Sequence, residues 1–108
     1  MSALEGMWDI NIFSPWGKIS CVGVFKAEGN VLKGVLRYGN GNPLQNYQIL
    51  KGKVEGDNFA FEVEAEAFFT LATFEVRGKV DDDQKNMSGL ARVLGNYVEF
   101  YGKKRENT

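Results

Sequence analysis

The sequence predicts an all-β protein, an antiparallel up-and-down barrel of about eight strands, formed by one domain over residues 1–108. Three observations predict it. Apolar and polar residues alternate with period two, turn signals cut the chain at short intervals, and no segment carries a helical pattern.

The alternation is clearest at Phe59-Ala60-Phe61-Glu62-Val63-Glu64-Ala65-Glu66-Ala67. Phe59, Phe61, Val63, Ala65 and Ala67 share one face, and Glu62, Glu64 and Glu66 share the other. Successive strand side chains point to opposite faces, so this is a half-buried strand; a helix would scatter both sets around its axis. The next segment repeats the pattern, with Ala72, Phe74, Val76, Gly78 and Val80 inward and Thr73, Glu75, Arg77 and Lys79 outward.

The turns are Ser14-Pro15-Trp16-Gly17, Glu28-Gly29-Asn30, Gly39-Asn40-Gly41-Asn42-Pro43, Glu55-Gly56-Asp57-Asn58, Asp81-Asp82-Asp83-Gln84 and Gly95-Asn96. Gly and Asn supply the positive φ of tight hairpins. Between the turns the strands read 6–13, 18–27, 31–39, 45–55, 58–67, 70–80, 86–94 and 97–105. With no crossover helices the order is a meander, and closing it into a barrel removes the exposed edges. A weak internal repeat fits: Lys51-Gly52-Lys53-Val54 recurs as Arg77-Gly78-Lys79-Val80. Glycines inside strands mark bends or close backbone approaches, which small barrels need to curl.

Composition narrows the chemistry. Apolar residues make up 44% and charged residues 25%, which is globular and not disordered. A net charge of −1 leaves no footprint for nucleic acid or an anionic membrane, and Lys103-Lys104-Arg105 is too short to supply one. No histidine is present, so imidazole general bases and His-ligated metal sites are excluded. A single cysteine excludes an intrachain disulfide and a CxxC motif. Cys21 reads as a buried, inert thiol. Asp81-Asp82-Asp83 lacks the other ligands of a calcium loop and reads as a polar turn. Neither a metal nor a cofactor is expected. No signal peptide or apolar stretch of spanning length is visible, so a cytoplasmic location is the expectation.

Gly6-Met7-Trp8, Gly17-Lys18, Gly29-Asn30-Val31-Leu32-Lys33-Gly34 and Arg105 together resemble the calycin group of barrels: lipocalins, fatty-acid-binding proteins and avidins. The resemblance implies a lipocalin-like barrel that holds a ligand, with Trp8 at its closed end and Arg105 packed over the Trp. Alternation from Val98 and Phe100 instead sets Arg105 on the outer face, unless Gly102 hosts a bulge. The lipocalin cysteine pair, the carboxylate-clamping Arg and Tyr of fatty-acid-binding proteins and the tryptophan ring of avidin have no counterpart here.

An eight-stranded barrel is just wide enough to be filled by side chains or to hold one small ligand. Large inward residues include Trp8, Phe25, Phe59 and Phe100, and small ones include Gly23, Gly34, Gly52, Gly78 and Gly89. The mixture predicts one packed end and one hollow end. The expected function is binding of a small apolar or aromatic molecule, with Tyr38, Tyr47, Phe61, Phe74 and Trp16 as site residues. Tyr38 and Tyr47 offer hydroxyls to a ligand oxygen or to water, and Trp16 stands at the mouth. One alternative is a lyase, isomerase or cyclase drawing on Asp9, Glu75, Tyr38, Tyr47 and Arg37. Another is a packed oligomerisation module without ligand. Trp16 and Phe68-Phe69 in turns, and Val22 and Val24 opposite Cys21 and Phe25, favour a homodimer over a monomer.

Overall fold

A computed structural model describes residues 4–15, 17–38, 45–67, 70–93 and 95–105. The strands are β1 (Gly6–Ser14), β2 (Gly17–Glu28), β3 (Val31–Tyr38), β4 (Gln45–Gln48), β5 (Leu50–Glu55), β6 (Asn58–Ala67), β7 (Thr70–Val80), β8 (Asn86–Val93) and β9 (Asn96–Lys104). Every ladder is antiparallel. The sheet runs β2-β1-β9-β8-β7-β6-β5-β3-β4, and β3 pairs back onto β2. That last pairing closes the sheet on itself. β4 and β5 act as the two halves of one stave, so the fold is a closed eight-stranded antiparallel up-and-down barrel.

The break inside that stave is where the structure departs from the continuous strand expected over 45–55. Ile49 donates its amide to the Gly34 carbonyl at 3.0 Å, and Lys51 adopts a left-handed φ of 52°. The β5–β6 register slips between Leu50 and Lys53, which is the signature of a bulge. The bulge separates two allegiances. β5 pairs with β6 from Glu55↔Asn58 to Leu50↔Glu62, whereas β4 pairs with β3 from Val35↔Gln48 to Tyr38↔Gln45. Among the described residues no ladder joins β4 to β6. Beyond Glu62, therefore, β6 is laddered on its β7 side alone, and the wall carries a split at one end.

The barrel's two ends differ. At the end where β2–β3, β5–β6 and β7–β8 turn, Leu4, Trp8, Leu32, Val80 and Met87 are almost completely buried, as is Phe100. Trp8 is the plug. Its indole Nε1 donates to the Leu4 carbonyl at 2.9 Å, which satisfies the one polar atom that burial would otherwise strand. Trp8 pairs with Lys104, whose Nζ sits 5.8 Å from the ring centroid. The resemblance assigned that place to Arg105. β9 keeps strict alternation, so Val98, Phe100 and Gly102 are buried in turn, Lys104 follows on the same face, and Arg105 falls outside.

The acidic run 81–83 closes the β7–β8 connection as the polar turn expected. The Asp83 carboxylate accepts from the Lys85 and Asn86 amides at 2.9 and 3.2 Å, and from the Asn86 side chain at 2.6 Å. Those bonds to the charged form hold its pKa below the ordinary carboxylate value.

Candidate functional site

The other end, where β1–β2, β3–β4, β6–β7 and β8–β9 connect, is less tightly sealed. Five large side chains there are only partly buried and pack onto the core: Ile12, Leu36, Tyr38, Tyr47 and Phe74. Strand register brings them together. Leu36 stands opposite Tyr47, and Phe74 opposite Val63. Three of the expected site residues, Tyr38, Tyr47 and Phe74, thus share one rim. Phe61 lies deeper and is buried. Trp16, Phe68 and Phe69 lie outside the described residues.

Beneath the rim an aromatic column fills the barrel. Phe61 tilts against Phe25 at 5.6 Å and stacks on Phe59 at 6.2 Å with their planes 14° apart. Phe59 in turn meets Phe100 at 6.3 Å. Among the described residues, a cavity within the core measures about 10 Å³ and is lined by Ile10, Ile12, Cys21, Leu36, Phe59, Phe61, Val76, Met87, Ala91 and Phe100. That is room for about one water-sized sphere, in a site with no polar partners to hold it.

Among the described residues the core below the rim is filled, where the sequence predicts a hollow end. Three small inward positions leave little void because large neighbours lie over them, whereas Gly34, Gly52 and Gly89 lie against the backbone of a neighbouring strand. A Cβ on Gly23 would strike the Phe25 ring at 2.6 Å, and one on Gly102 would strike Met87 Cγ at 2.6 Å. At Gly78 it would meet Phe59 Cζ at 2.6 Å and Phe100 Cζ at 2.8 Å. Each of these three glycines is the hole into which a large side chain fits.

The electrostatics are equally plain. No polar or charged side chain is buried among the described residues. Cys21 lines the cavity, and burial pushes its thiol pKa up to about 11. It is a neutral, unreactive group at physiological pH. The residues considered for catalysis are not brought together. Asp9 is bonded to Arg105 on the outer face, Glu75 stands outside with Arg92 at 3.8 Å, and Arg37 is exposed. Only Tyr38 and Tyr47 of that set belong to the interior face. Among the described residues no group of His, Cys, Asp and Glu could hold a metal ion, and no helix is long and apolar enough to cross a membrane.

Sequence reasoning missed Leu4 and Lys104, the two partners of the Trp8 plug. Lys104 was legible from the Val98, Phe100, Gly102 alternation; Leu4 precedes the first strand and carries no periodic signal. No protein-family model, curated protein or solved structure matches this chain.

Proposed function

We propose that the barrel binds a small apolar or aromatic molecule through the rim formed by Ile12, Leu36, Tyr38, Tyr47 and Phe74. One observation carries this reading: the barrel is plugged at one end by fully buried side chains and covered at the other by partly exposed ones. Partly exposed side chains have fewer contacts to lose than buried ones, so the rim is the end that can yield. A ligand that reaches the core below the rim displaces some of them, since the core cavity among the described residues is about 10 Å³. The lipocalin-like architecture implied by the Gly6-Met7-Trp8 opening agrees with ligand capture at an open end.

The chemistry of the lining sets the ligand class. The interior offers hydrocarbon, aromatic faces and a neutral thiol, with the phenols of Tyr38 and Tyr47 at the rim. An apolar or aromatic molecule with one hydrogen-bonding oxygen suits this lining. Phosphates and sugars do not, because among the described residues only two phenols there could replace their hydration.

The test is a titration with hydrophobic fluorescent probes and a panel of small phenols and aromatic acids, followed by tryptophan emission. Saturable binding that weakens in Tyr38→Phe, Tyr47→Phe or Phe74→Ala supports the reading. Trp16→Phe reports whether that tryptophan senses the ligand. Absence of any saturable response sinks it in favour of a packed module without ligand. That second reading draws its support from the closely filled interior.

A further inference from the structure

The split between β4 and β6 opens at the less tightly sealed end of the barrel, and its geometry picks out the part of the wall that can move. β4 runs beside β6 without pairing to it, and among the described residues it is laddered to β3 alone. The bulge at Leu50 and Lys51 uncouples β4 from β5. Lys51 Nζ lies 3.8 Å from a Glu62 carboxylate oxygen, so the split has a definite root at the last rung between β5 and β6. From that root it runs to the rim.

The two edges of the split face each other. The Ile49 amide donates to Gly34 on β3, so alternation turns the backbone groups of Gln48 and Asn46 toward β6. The Val80 amide donates to the Asp57 carbonyl at 2.9 Å, so alternation from Asp57 turns the backbone groups of Glu64 and Glu66 away from β7 and toward β4. Continuing the Leu50↔Glu62 register sets Gln48 opposite Glu64 and Asn46 opposite Glu66. Among the described residues no ladder joins these pairs. Widening the gap between β4 and β6 therefore breaks no ladder bond, whereas parting β6 from β7 breaks a full ladder.

The split also leads to the core. Phe61 precedes Glu62 at its root, and Leu36 stands opposite Tyr47 of β4; Phe61 and Leu36 both line the core cavity, together with Cys21. An outward tilt of β4 about its ladder to β3 carries Tyr47 away from that wall.

We propose that β4 is a flap, and that the opening at its β6-facing edge is the route by which a small apolar molecule reaches the core. A filled interior takes up a molecule only where part of the wall yields, and β4 has the fewest bonds to give up. The cargo rests on the binding reading above; the motion of the flap does not.

The experiment ties the flap shut. Gln48→Cys and Glu64→Cys place two thiols on the outer face across the split, where pairing of the strands brings Cα atoms to about 5.5 Å, within reach of a disulfide. A control pair, Lys79→Cys and Ser88→Cys, ties two strands that are already laddered, and measures what a cross-link does through stability alone. The readout is native-state alkylation of Cys21 by N-ethylmaleimide, followed on the Cys21 peptide by mass spectrometry. The β4–β6 tether is expected to slow it by about tenfold or more and the control tether by much less, and reduction of the β4–β6 disulfide should restore the wild-type rate. Association of an apolar fluorescent probe should slow in the same order. Equal slowing by both tethers, or no slowing by the β4–β6 tether, overturns the flap. So does a Gln48→Cys, Glu64→Cys pair that neither oxidation nor a short bifunctional thiol reagent can join. A wild type that binds no probe removes the cargo, while Cys21 alkylation still decides the flap.

Discussion

Arg105 reaches across the seam between the first and last strands to grip Asp9. Its Nε lies 3.0 Å from both carboxylate oxygens and its Nη2 2.8 Å from Oδ1. The hydrogen bond and the charge of Asp9 raise the pKa of the guanidinium further. Both side chains are about half exposed, so the pair is screened by solvent and marks the seam more than it holds it. The holding is done one residue earlier and on the other face, by Trp8 under Lys104.

Trp8→Ala should therefore cost about 3–5 kcal/mol, in the range of large core aromatic truncations. Trp8→Phe should cost less, since it keeps most of the apolar bulk and loses the bond to the Leu4 carbonyl. Arg105→Ala should be milder than either. Urea unfolding checks all three, and a loss under about 1 kcal/mol for Trp8→Ala would contradict its role as plug.

The strand glycines make a second prediction. Gly78→Ala drives a methyl into the Phe59 and Phe100 rings and the Ser88 carbonyl, with approaches of 2.6 to 2.8 Å. Overpacking of this kind costs about 1–3 kcal/mol or more. Gly56→Ala meets open space but must hold φ near +61°, so it should cost roughly 1 kcal/mol from backbone strain alone. Gly56→Asn should recover part of that. Equal denaturation midpoints for Gly78→Ala and wild type would refute the packing argument.

Cys21 couples the core to pH. Its folded pKa of about 11 lies above the ordinary 9.0, so folding favours the neutral thiol. The stabilisation is complete below pH 9.0 and is lost as pH rises through about 11, a loss of about 3 kcal/mol for two pKa units. Stability curves of wild type and Cys21→Ala should converge or cross over that window. A thiol reagent at pH 8 should modify Cys21 slowly in the native state and rapidly in urea. Prompt native-state labelling would show that the cavity opens to solvent.

Amide exchange tests the split in the wall. In β6, the amides of Phe59–Glu62 lie between ladders to β5 and β7, whereas those of Val63–Ala67 are laddered to β7 alone. Amides in the upper half that point away from β7 should exchange faster than their counterparts in the lower half. Uniform protection along β6 would mean that β4 closes the wall in solution.

Much of this architecture was legible in the residues. The Phe59–Glu64 and Thr73–Val80 alternations fixed two strands and their faces, and the Gly and Asn turns fixed the meander. The stave break was not legible: Ile49-Leu50-Lys51 contains no turn residue, and the left-handed Lys51 is imposed by two neighbouring strands that demand different registers. Nor was the filled interior. A list of small and large inward residues omits direction, and Phe25 lying over Gly23, or Met87 over Gly102, depends on side-chain rotamers and diagonal contacts across strands. Tyr38, Tyr47 and Phe74 were placed correctly on the inner face by alternation alone.

The seam that Asp9 and Arg105 mark also sets when the barrel can close during synthesis. β1 is made first and waits for β9, with Trp8 and Lys104 separated by nearly the whole chain. While the ribosome still holds β9, a nascent β1–β8 sheet presents two open edges and a half-covered tryptophan to everything around it. Closure is thus a late, long-range event, and the interval before it is when chaperones and stray strands compete for this chain.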